Sequence, residues 1–247
     1  PSAPTGLPTA SASSEAIGPR EGNARAVRRA KRRRRSSGSR LFRYDRGLGV
    51  RYVAGADEAG RGCLAGPLVA AAVLIDYEAL SHADRRSLAG LHDSKQMKEE
   101  RREELYPCVL RAAARVSVVI RCVRGIDDRG LHVTNIEALS SALERLQPGD
   151  ATCLVDGFSL RDCAVPHRAV IEGDGTSAAI AAASVVAKVT RDRYMRGAGR
   201  EHPGWGFEEH VGYSTPEHRE AIGRIGISAL HRRSFQSVAY SQLELAG

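Results

Sequence analysis

The chain has 247 residues, 42% of them hydrophobic and 27% charged, which is enough to bury a core in one large domain or two small ones. No apolar run is long enough to span a bilayer, and no signal-peptide core is visible, so we expect a cytoplasmic protein without a membrane partner. The five cysteines form no C-x-x-C pair, which argues against a disulfide framework or a zinc site and fits a reducing compartment.

The net charge of +8 is concentrated at one end of the chain. Residues 1–43 hold eleven Lys or Arg against two Asp or Glu, a balance of +9, which leaves about −1 (8 − 9) for the rest. With KRRRR at 31–35 and no periodic apolar pattern, residues 1–43 are predicted to be a disordered basic tail, and 44–247 a folded domain. Such a tail attracts phosphate backbones without reading sequence, but a solvated, dispensable extension is an equally open alternative.

The first half of the domain predicts three strands and one helix. YVAGA (52–56) and PLVAAAVLID (67–76) are typical of strands, and the short Gly-rich link between them favours antiparallel pairing. Residues 98–114 predict a helix with a kink or break at Pro107. Residues 115–123 predict a third strand, with Val116, Val118 and Ile120 on one face.

The second half alternates helix and strand. Predicted helices cover 133–146, 177–195 and 215–226, the last with Thr215 as N-cap and Pro216 at its first position; predicted strands cover 151–157 and 167–174. Three strands followed by this alternation predict a mixed sheet with helices packed on it.

Three predicted strands end in an acid next to glycine: Asp57 with Glu58 in DEAG, Asp156 in VDG and Asp174 in EGDG. A single such acid is usually a turn residue. Because side chains alternate along a strand, the first strand must end between Asp57 and Glu58 if both serve one site.

Acids on neighbouring strands, about 4.8 Å apart, can converge on one point. Carboxylates so close repel and raise one another's pKa, and a divalent cation removes the conflict. Oxygen ligands without His or Cys favour Mg²⁺ or Mn²⁺, and four carboxylates suit the two-ion arrangement for in-line attack at phosphorus.

Other polar residues are candidates for substrate contacts. Gly60 and Gly62 free the backbone for close approach to a sugar or phosphate, and Arg61 between them can pair with phosphate. Ser177, Ser184 and Lys188 fall on one face of the Ala-rich helix that follows Asp174, although serines without a function and a solvated lysine are the simpler interpretation. Lys95 in DSK is another candidate, although Ser94 there would equally serve only as a helix cap. Tyr213 in GYST is the last candidate, with a packing role as the alternative.

Six segments, in order over roughly residues 50–240, together resemble ribonuclease HII. They are GADEAGRGCLAGPLVAAAV, DSK at 93–95, VDG at 155–157, GDGTSAAIAAASVVAKVTRDRYM, GYSTPEH at 212–218 and HRRSF at 231–235. The resemblance implies an α/β, RNase H-like fold with a mixed five-stranded sheet flanked by helices. It also implies cleavage of the RNA strand of RNA–DNA hybrids and of single ribonucleotides in duplex DNA, dependent on Mg²⁺ or Mn²⁺.

By position, Asp57, Glu58, Asp156 and Asp174 match the family's acidic, metal-binding site. The resemblance also implies that Gly60, Arg61 and Gly62 read the 2′-hydroxyl at the RNA–DNA junction, and that Tyr213 packs on the sugar of the next deoxynucleotide. The chain departs from the family pattern at Cys63, where proline is common, and at Glu172 and Gly175-Thr176, where lysines are common. We expect a looser turn at the first and fewer phosphate contacts at the others.

Two other functions stay open from the sequence. A related nuclease acting on DNA junctions would use the same acids without needing the Gly-Arg-Gly turn. A catalytically silent protein that binds nucleic acid through its arginine tail would bind in EDTA and lose binding steeply with salt. We expect a monomer, because an aromatic content of 5% gives no reason to expect a large apolar interface.

Overall fold

A computed structural model of the chain describes residues 38–94 and 96–235. Lys95, one of the predicted substrate contacts, and residues 1–37, which make up most of the predicted tail, lie outside the described residues.

Five strands form one mixed sheet, as predicted. They are β1 (Tyr52–Ala59), β2 (Leu68–Asp76), β3 (Arg115–Arg121), β4 (Thr152–Asp156) and β5 (His167–Val170). The spatial order is β3-β2-β1-β4-β5, with β1 antiparallel to β2, β2 antiparallel to β3, and β1, β4 and β5 mutually parallel. The antiparallel β1–β2 pairing expected from the short Gly-rich link is therefore confirmed.

Helices cover both faces of this sheet. They are α1 (38–47), α2 (His82–Ser87), α3 (Glu99–Ala112), α4 (Val123–Arg129), α5 (Leu131–Leu146), α6 (Ala178–Glu201), α7 (Phe207–His210) and α8 (Pro216–Ile225). Helix α3 continues through Pro107, and α8 begins with the predicted Thr215 cap, whose side chain accepts from the His218 amide. Helices α1, α2, α4 and α7 were not predicted, because each is short or lacks a clear apolar period.

Alternate residues of β1 face the two opposite sides of the sheet, and each side has its own buried cluster. Val53 packs with α6 in one buried cluster, while Ala54 and Ala56 pack with α5 in another. Side chains of successive strand residues point to opposite faces, so a strand buried on both sides must be apolar throughout. This explains the unbroken run of Val, Ala, Leu and Ile in β2, whose residues are all buried except the last.

Helix α6 crosses β1 at very close range. A Cβ placed on Gly55 would lie 2.1 Å from the backbone carbon of Ala179, so only glycine leaves room for the helix there. The Ala-rich sequence of α6 serves the same end, since Ala181, Ala183 and Ala187 are completely buried. The close approach sets the depth at which α6 side chains meet the end of β1.

Helix α1 is fastened to the start of α6 by a buried acid. Asp45 accepts hydrogen bonds from the Tyr77 hydroxyl at 2.6 Å and from the Ala179 amide at 3.0 Å. Leu41 and Phe42 are buried in the same core. Residues 38–43 therefore belong with the folded part of the chain, and the predicted boundary between residues 43 and 44 falls inside a helix.

Two local expectations, both about strand ends, are corrected by the structure. Strand β1 runs through both acids to Ala59, so it does not end between Asp57 and Glu58. Strand β5 ends at Val170, and Asp174 lies beyond it in a 3₁₀ turn, Gly173–Gly175. On the edge strand β3, Val116, Val118 and Ile120 share one face as predicted, with the two valines half-buried against the core and Ile120 exposed.

Within the described ranges, no helix combines the length and apolar character needed to cross a membrane.

The close packing of α6 on β1 generates a stability prediction. Gly55→Ala should destabilise the fold by about 3 kcal/mol or more, because the added methyl meets helix backbone that cannot move aside cheaply. Gly47→Ala is the control, since a Cβ there would meet nothing within 4 Å. Urea unfolding measures both; equal stability of the two variants would contradict the packing argument.

Candidate active site

The parallel pairing of β1 with β4 places two acids side by side. The register runs from Val53 opposite Thr152 to Ala56 opposite Val155, and the next residue on each strand is Asp57 and Asp156. In a parallel pair, neighbouring residues of equal register point to the same face. Two carboxylates therefore meet at the carboxyl ends of adjacent central strands.

The environment of Asp57 disfavours a charged side chain. It is buried, and burial together with the nearby Glu58 and Asp156 carboxylates raises its pKa well above the usual range for aspartate. The Glu58 amide donates to its Oδ1 at 2.7 Å, whereas its Oδ2 is buried and accepts no hydrogen bond from the described residues. A carboxylate oxygen held this way is suited to a hard cation such as Mg²⁺ or Mn²⁺.

The other two acids flank this pair. Glu58 follows Asp57 on the opposite face of β1, and Asp174 is buried in the 3₁₀ turn, whose Gly173 amide donates to Asp156 Oδ1 at 2.7 Å. Among the residues that the structure describes, no three His, Cys, Asp or Glu side chains converge closely enough to ligate one ion. The four acids therefore share one end of the sheet without forming a closed cage.

A pair of hydroxyls supports Asp57 from α6. Ser184 faces the Asp57 carboxyl and lowers its pKa, in opposition to the burial. Its Oγ is 2.6 Å from the Oγ of Ser94, which is buried in the DSK loop. Ser94 is therefore not the cap of α3, whose N-cap is Lys98. The Ser94–Ser184 pair instead fixes a side chain that touches the acid.

The Gly-Arg-Gly turn follows directly on β1. Gly60 has a φ of +99°, and a Cβ there would lie 2.3 Å from Arg191 Nε, so both conformation and space require glycine. Arg61 is exposed and forms a loose ion pair with Glu58 at 3.4 Å, which leaves its guanidinium able to turn toward a phosphate. The turn thus borders the acids, as its position in the sequence suggested.

Two buried arginines bond the backbone around this turn, Arg232 the turn itself and Arg191 the loop that follows it, and sequence reasoning missed both. Arg191, on α6, donates to the carbonyls of Ala65, Pro67 and Val211 at 2.8–3.0 Å. Arg232 donates to the carbonyls of Arg61, Gly66 and Pro67. Both side chains are fully buried. The sequence offered one signal, the HRRSF segment, but arginines in sequence are ordinarily surface residues.

Tyr213 lies against the turn through Cys63. The two residues pair as an isolated antiparallel bridge, and the Cys63 thiol forms a hydrogen bond with the Tyr213 side chain. Burial raises the pKa of Tyr213 to about 12, although its ring is still 37% exposed. Cys63 is completely buried in this contact.

Lys188 reaches the same place but is already engaged. Its ammonium donates to Asp192 at 2.8 Å and lies 4.7 Å from the centre of the Tyr213 ring. Burial lowers its pKa, while Asp192 opposes that effect. In this arrangement Lys188 supports the Tyr213 ring and is not a solvated lysine.

Ser177 is not brought to the surface of the site. It is completely buried, and its side chain accepts from the Ile180 amide as the N-cap of α6. The predicted contact of Ser177 with substrate is therefore replaced by a structural role, because a hydroxyl at the start of a helix satisfies an otherwise unpaired amide. Glu172 and Thr176 border the 3₁₀ turn, where the Thr176 hydroxyl donates to the Glu172 carbonyl at 3.0 Å.

A buried histidine pair fixes the backbone of Tyr213. The Nε2 atoms of His218 and His231 are 3.0 Å apart, and the Nδ1 of His218 is 2.8 Å from the Tyr213 carbonyl. His231 in turn bonds Ser228, whose amide is 2.8 Å from its Nδ1. Burial holds the pKa of each imidazole at about 4, so both are neutral at physiological pH.

The burial of the Asp57 carboxyl predicts how its removal changes thermal stability with and without Mg²⁺. In EDTA, Asp57→Asn should melt no lower than the parent, since an ionised group whose pKa is raised in the fold destabilises it above pH 4. Mg²⁺ at about 100 times its Kd should stabilise the parent by about 2.7 kcal/mol, and the variant much less. Thermal melts measure both.

The exposed Asp150→Asn is the matched control for this charge change. Two results would contradict a metal-binding role: Asp57→Asn melting far below the parent in EDTA, or Mg²⁺ stabilising Asp57→Asn as much as it stabilises the parent.

The histidine pair predicts a pH dependence. Because each folded-state pKa lies below the unfolded value, the neutral pair stabilises the fold above about pH 6.5 and this contribution is lost as pH falls toward 4. The loss between pH 7.5 and 5 is on the order of 2 kcal/mol per histidine. His218→Asn should flatten this profile in urea unfolding, whereas His82→Asn, on the exposed surface, should not. Parallel profiles for parent and His218→Asn would contradict the assignment.

Comparisons with known proteins identify the family of the chain. The sequence model described as Ribonuclease HII matches residues 54–238. The chain is 45% identical over 201 residues to the Ribonuclease HII of Geobacillus kaustophilus, covering 80% of this chain and 74% of that one. It is 49% identical over 190 residues to the Ribonuclease HII of Nocardia farcinica, covering 77% and 74%.

A solved structure gives the same result. The ribonuclease H2 of Pyrococcus horikoshii superposes with a TM-score of 0.65 at 27% identity, covering 78% of this chain and 98% of that one. The matches thus extend over most of the chain in both sequence and fold. The chain belongs to the ribonuclease HII family.

Proposed function

We propose that this ribonuclease H endonuclease cuts the RNA strand of RNA–DNA hybrids and nicks duplex DNA on the 5′ side of a single embedded ribonucleotide. The observation that carries the proposal is that Asp57 and Asp156, each the next residue after the last β1–β4 pair, lie close together beside the Gly-Arg-Gly turn. A cluster of acids suited to cations thus adjoins a loop suited to reading a sugar. Such an activity would support ribonucleotide removal during DNA repair and replication.

The four acids would hold two divalent ions, Mg²⁺ or Mn²⁺. Asp57 and Asp156, adjacent on β1 and β4, would be shared ligands, with Glu58 and Asp174 completing the two positions. When bound, such ions supply a water of lowered pKa for attack on phosphorus and offset charge on the leaving 3′-oxygen. The products would carry 5′-phosphate and 3′-hydroxyl ends.

The chain's own residues would position the substrate. Gly60 and Gly62 would let the backbone approach the 2′-hydroxyl, which is the atom that distinguishes RNA from DNA. Arg61 would pair with a neighbouring phosphate. The half-exposed ring of Tyr213, held by Lys188, would pack on the next deoxyribose.

We also propose that the chain works as a monomer in the cytoplasm. All five cysteines are free, as expected in a reducing compartment. The basic residues of the predicted tail, 1–43, would add salt-sensitive affinity for nucleic acid.

A duplex with one ribonucleotide tests the substrate. With Mg²⁺ or Mn²⁺, a single nick should appear 5′ of the ribonucleotide and disappear in EDTA, and Asp57→Asn should lose at least about 100-fold in rate through loss of a metal ligand. An all-DNA duplex of the same sequence is the control, and products are read on a denaturing gel.

Cutting of both duplexes would favour the related nuclease on DNA junctions. Salt-sensitive binding without cutting would favour a binding protein led by its tail.

A further inference from the structure

The carbonyl of Arg61 is held from inside the protein. Arg232 Nη1 donates to it at 3.1 Å, while Arg232 Nε and Nη2 donate to the Gly66 carbonyl at 3.1 and 2.9 Å. The Arg232 side chain is completely buried, and its hydrogen bond to the Arg61 carbonyl is partly buried. The peptide between Arg61 and Gly62 is thereby fixed on one side.

The geometry of the peptide unit determines the other side. No peptide bond among the described residues is cis, and a trans peptide is planar with its C=O and N–H pointing in opposite directions. Turning the Arg61 carbonyl toward buried Arg232 therefore turns the Gly62 N–H outward. Gly62 is exposed, and a Cβ there would meet nothing within 4 Å.

The outward amide is available to a ligand. The Gly62 N–H donates to no backbone carbonyl in the part of the chain that the structure describes. It belongs to the turn that directly follows Asp57 and Glu58. A donor held rigidly beside a cluster of acids suits an oxygen of the substrate that must be read next to the reacting phosphate.

We propose that Arg232 is a positioning residue that aims the Gly62 amide at the sugar 2′-oxygen of the substrate. The inference rests on the proposed function, because it assumes that the turn reads a ribonucleotide. It assigns discrimination between ribose and deoxyribose to a buried side chain that never touches the nucleic acid.

Arg191 provides the matched comparison. It is equally buried and donates to three carbonyls around the same loop, but these belong to Ala65, Pro67 and Val211. None of its hydrogen bonds in the described residues involves the Arg61–Gly62 peptide. A lysine at either position keeps the charge and loses the planar fork, which one ammonium cannot replace.

The test compares Arg232→Lys with Arg191→Lys. Affinity is measured for a duplex with one ribonucleotide and for the matched all-DNA duplex, with Ca²⁺ replacing Mg²⁺ and a gel to verify that neither is cut. Arg232→Lys should lower the ratio of the two affinities about tenfold, the effect of one misplaced hydrogen bond. Arg191→Lys should keep the ratio within about twofold, even where stability falls, because it leaves the Gly62 amide in place.

Each outcome decides a different question. Equal loss of the ratio in both variants, or no loss in Arg232→Lys, would overturn the positioning role of Arg232 alone. A parent chain that binds both duplexes equally would overturn the proposed function, and this inference with it.

If Arg232→Lys does not fold, a second measurement uses the parent protein. In ¹⁵N-labelled parent protein, the Gly62 amide resonance should shift when the ribonucleotide duplex is added under the same Ca²⁺ conditions, and not with the all-DNA duplex. The exposed amide of Gly149, in a distant turn, serves as the internal reference. A Gly62 resonance that responds alike to both duplexes would overturn the inference.

Discussion

The site depends on the repulsion between two carboxylates that the sheet forces together. Parallel pairing of β1 and β4 sets Asp57 next to Asp156, and burial removes the water that would screen them. Keeping Asp57 ionised costs free energy, because burial raises its pKa most and the Glu58 and Asp156 carboxylates raise it further. The cost is tolerated because Gly55 lets α6 pack close to β1 and bring Ser184 to the acid. A fold that keeps such a conflict unresolved is one prepared for cations.

Beside the acids, the chain uses buried arginines to organise a loop that has little side-chain packing of its own. A turn rich in glycine has many conformations to lose, and backbone carbonyls need donors once buried. Arg191, on α6, and Arg232, beyond α8, supply those donors although both lie more than 120 residues further along the chain. The His218–His231 contact extends the same support to the backbone of Tyr213. The elements proposed to read the substrate are thus parts of one hydrogen-bonded unit.

The sequence predicted the sheet well because its strands are short apolar runs bounded by glycine and proline. It was less successful at the ends of strands and at the start of the domain. It placed a strand end between Asp57 and Glu58, although pairing with β2 continues through both. It extended β5 to Asp174, where the chain instead turns in a 3₁₀ helix. It assigned residues 38–43 to the tail, because the contacts of Leu41 and of the buried Asp45 produce no apolar periodicity in the sequence.

By itself the sequence determined the α/β class, the family, and the acids and glycines that carry the proposed chemistry, because these depend on residue type and local order. Tertiary structure decided what each polar side chain does. Ser177 became a cap, Lys188 an internal partner of Asp192, and Arg232 a support for the turn. The physical reason is that a polar residue acquires its role from the partner it meets on burial, and those partners lie far away in sequence.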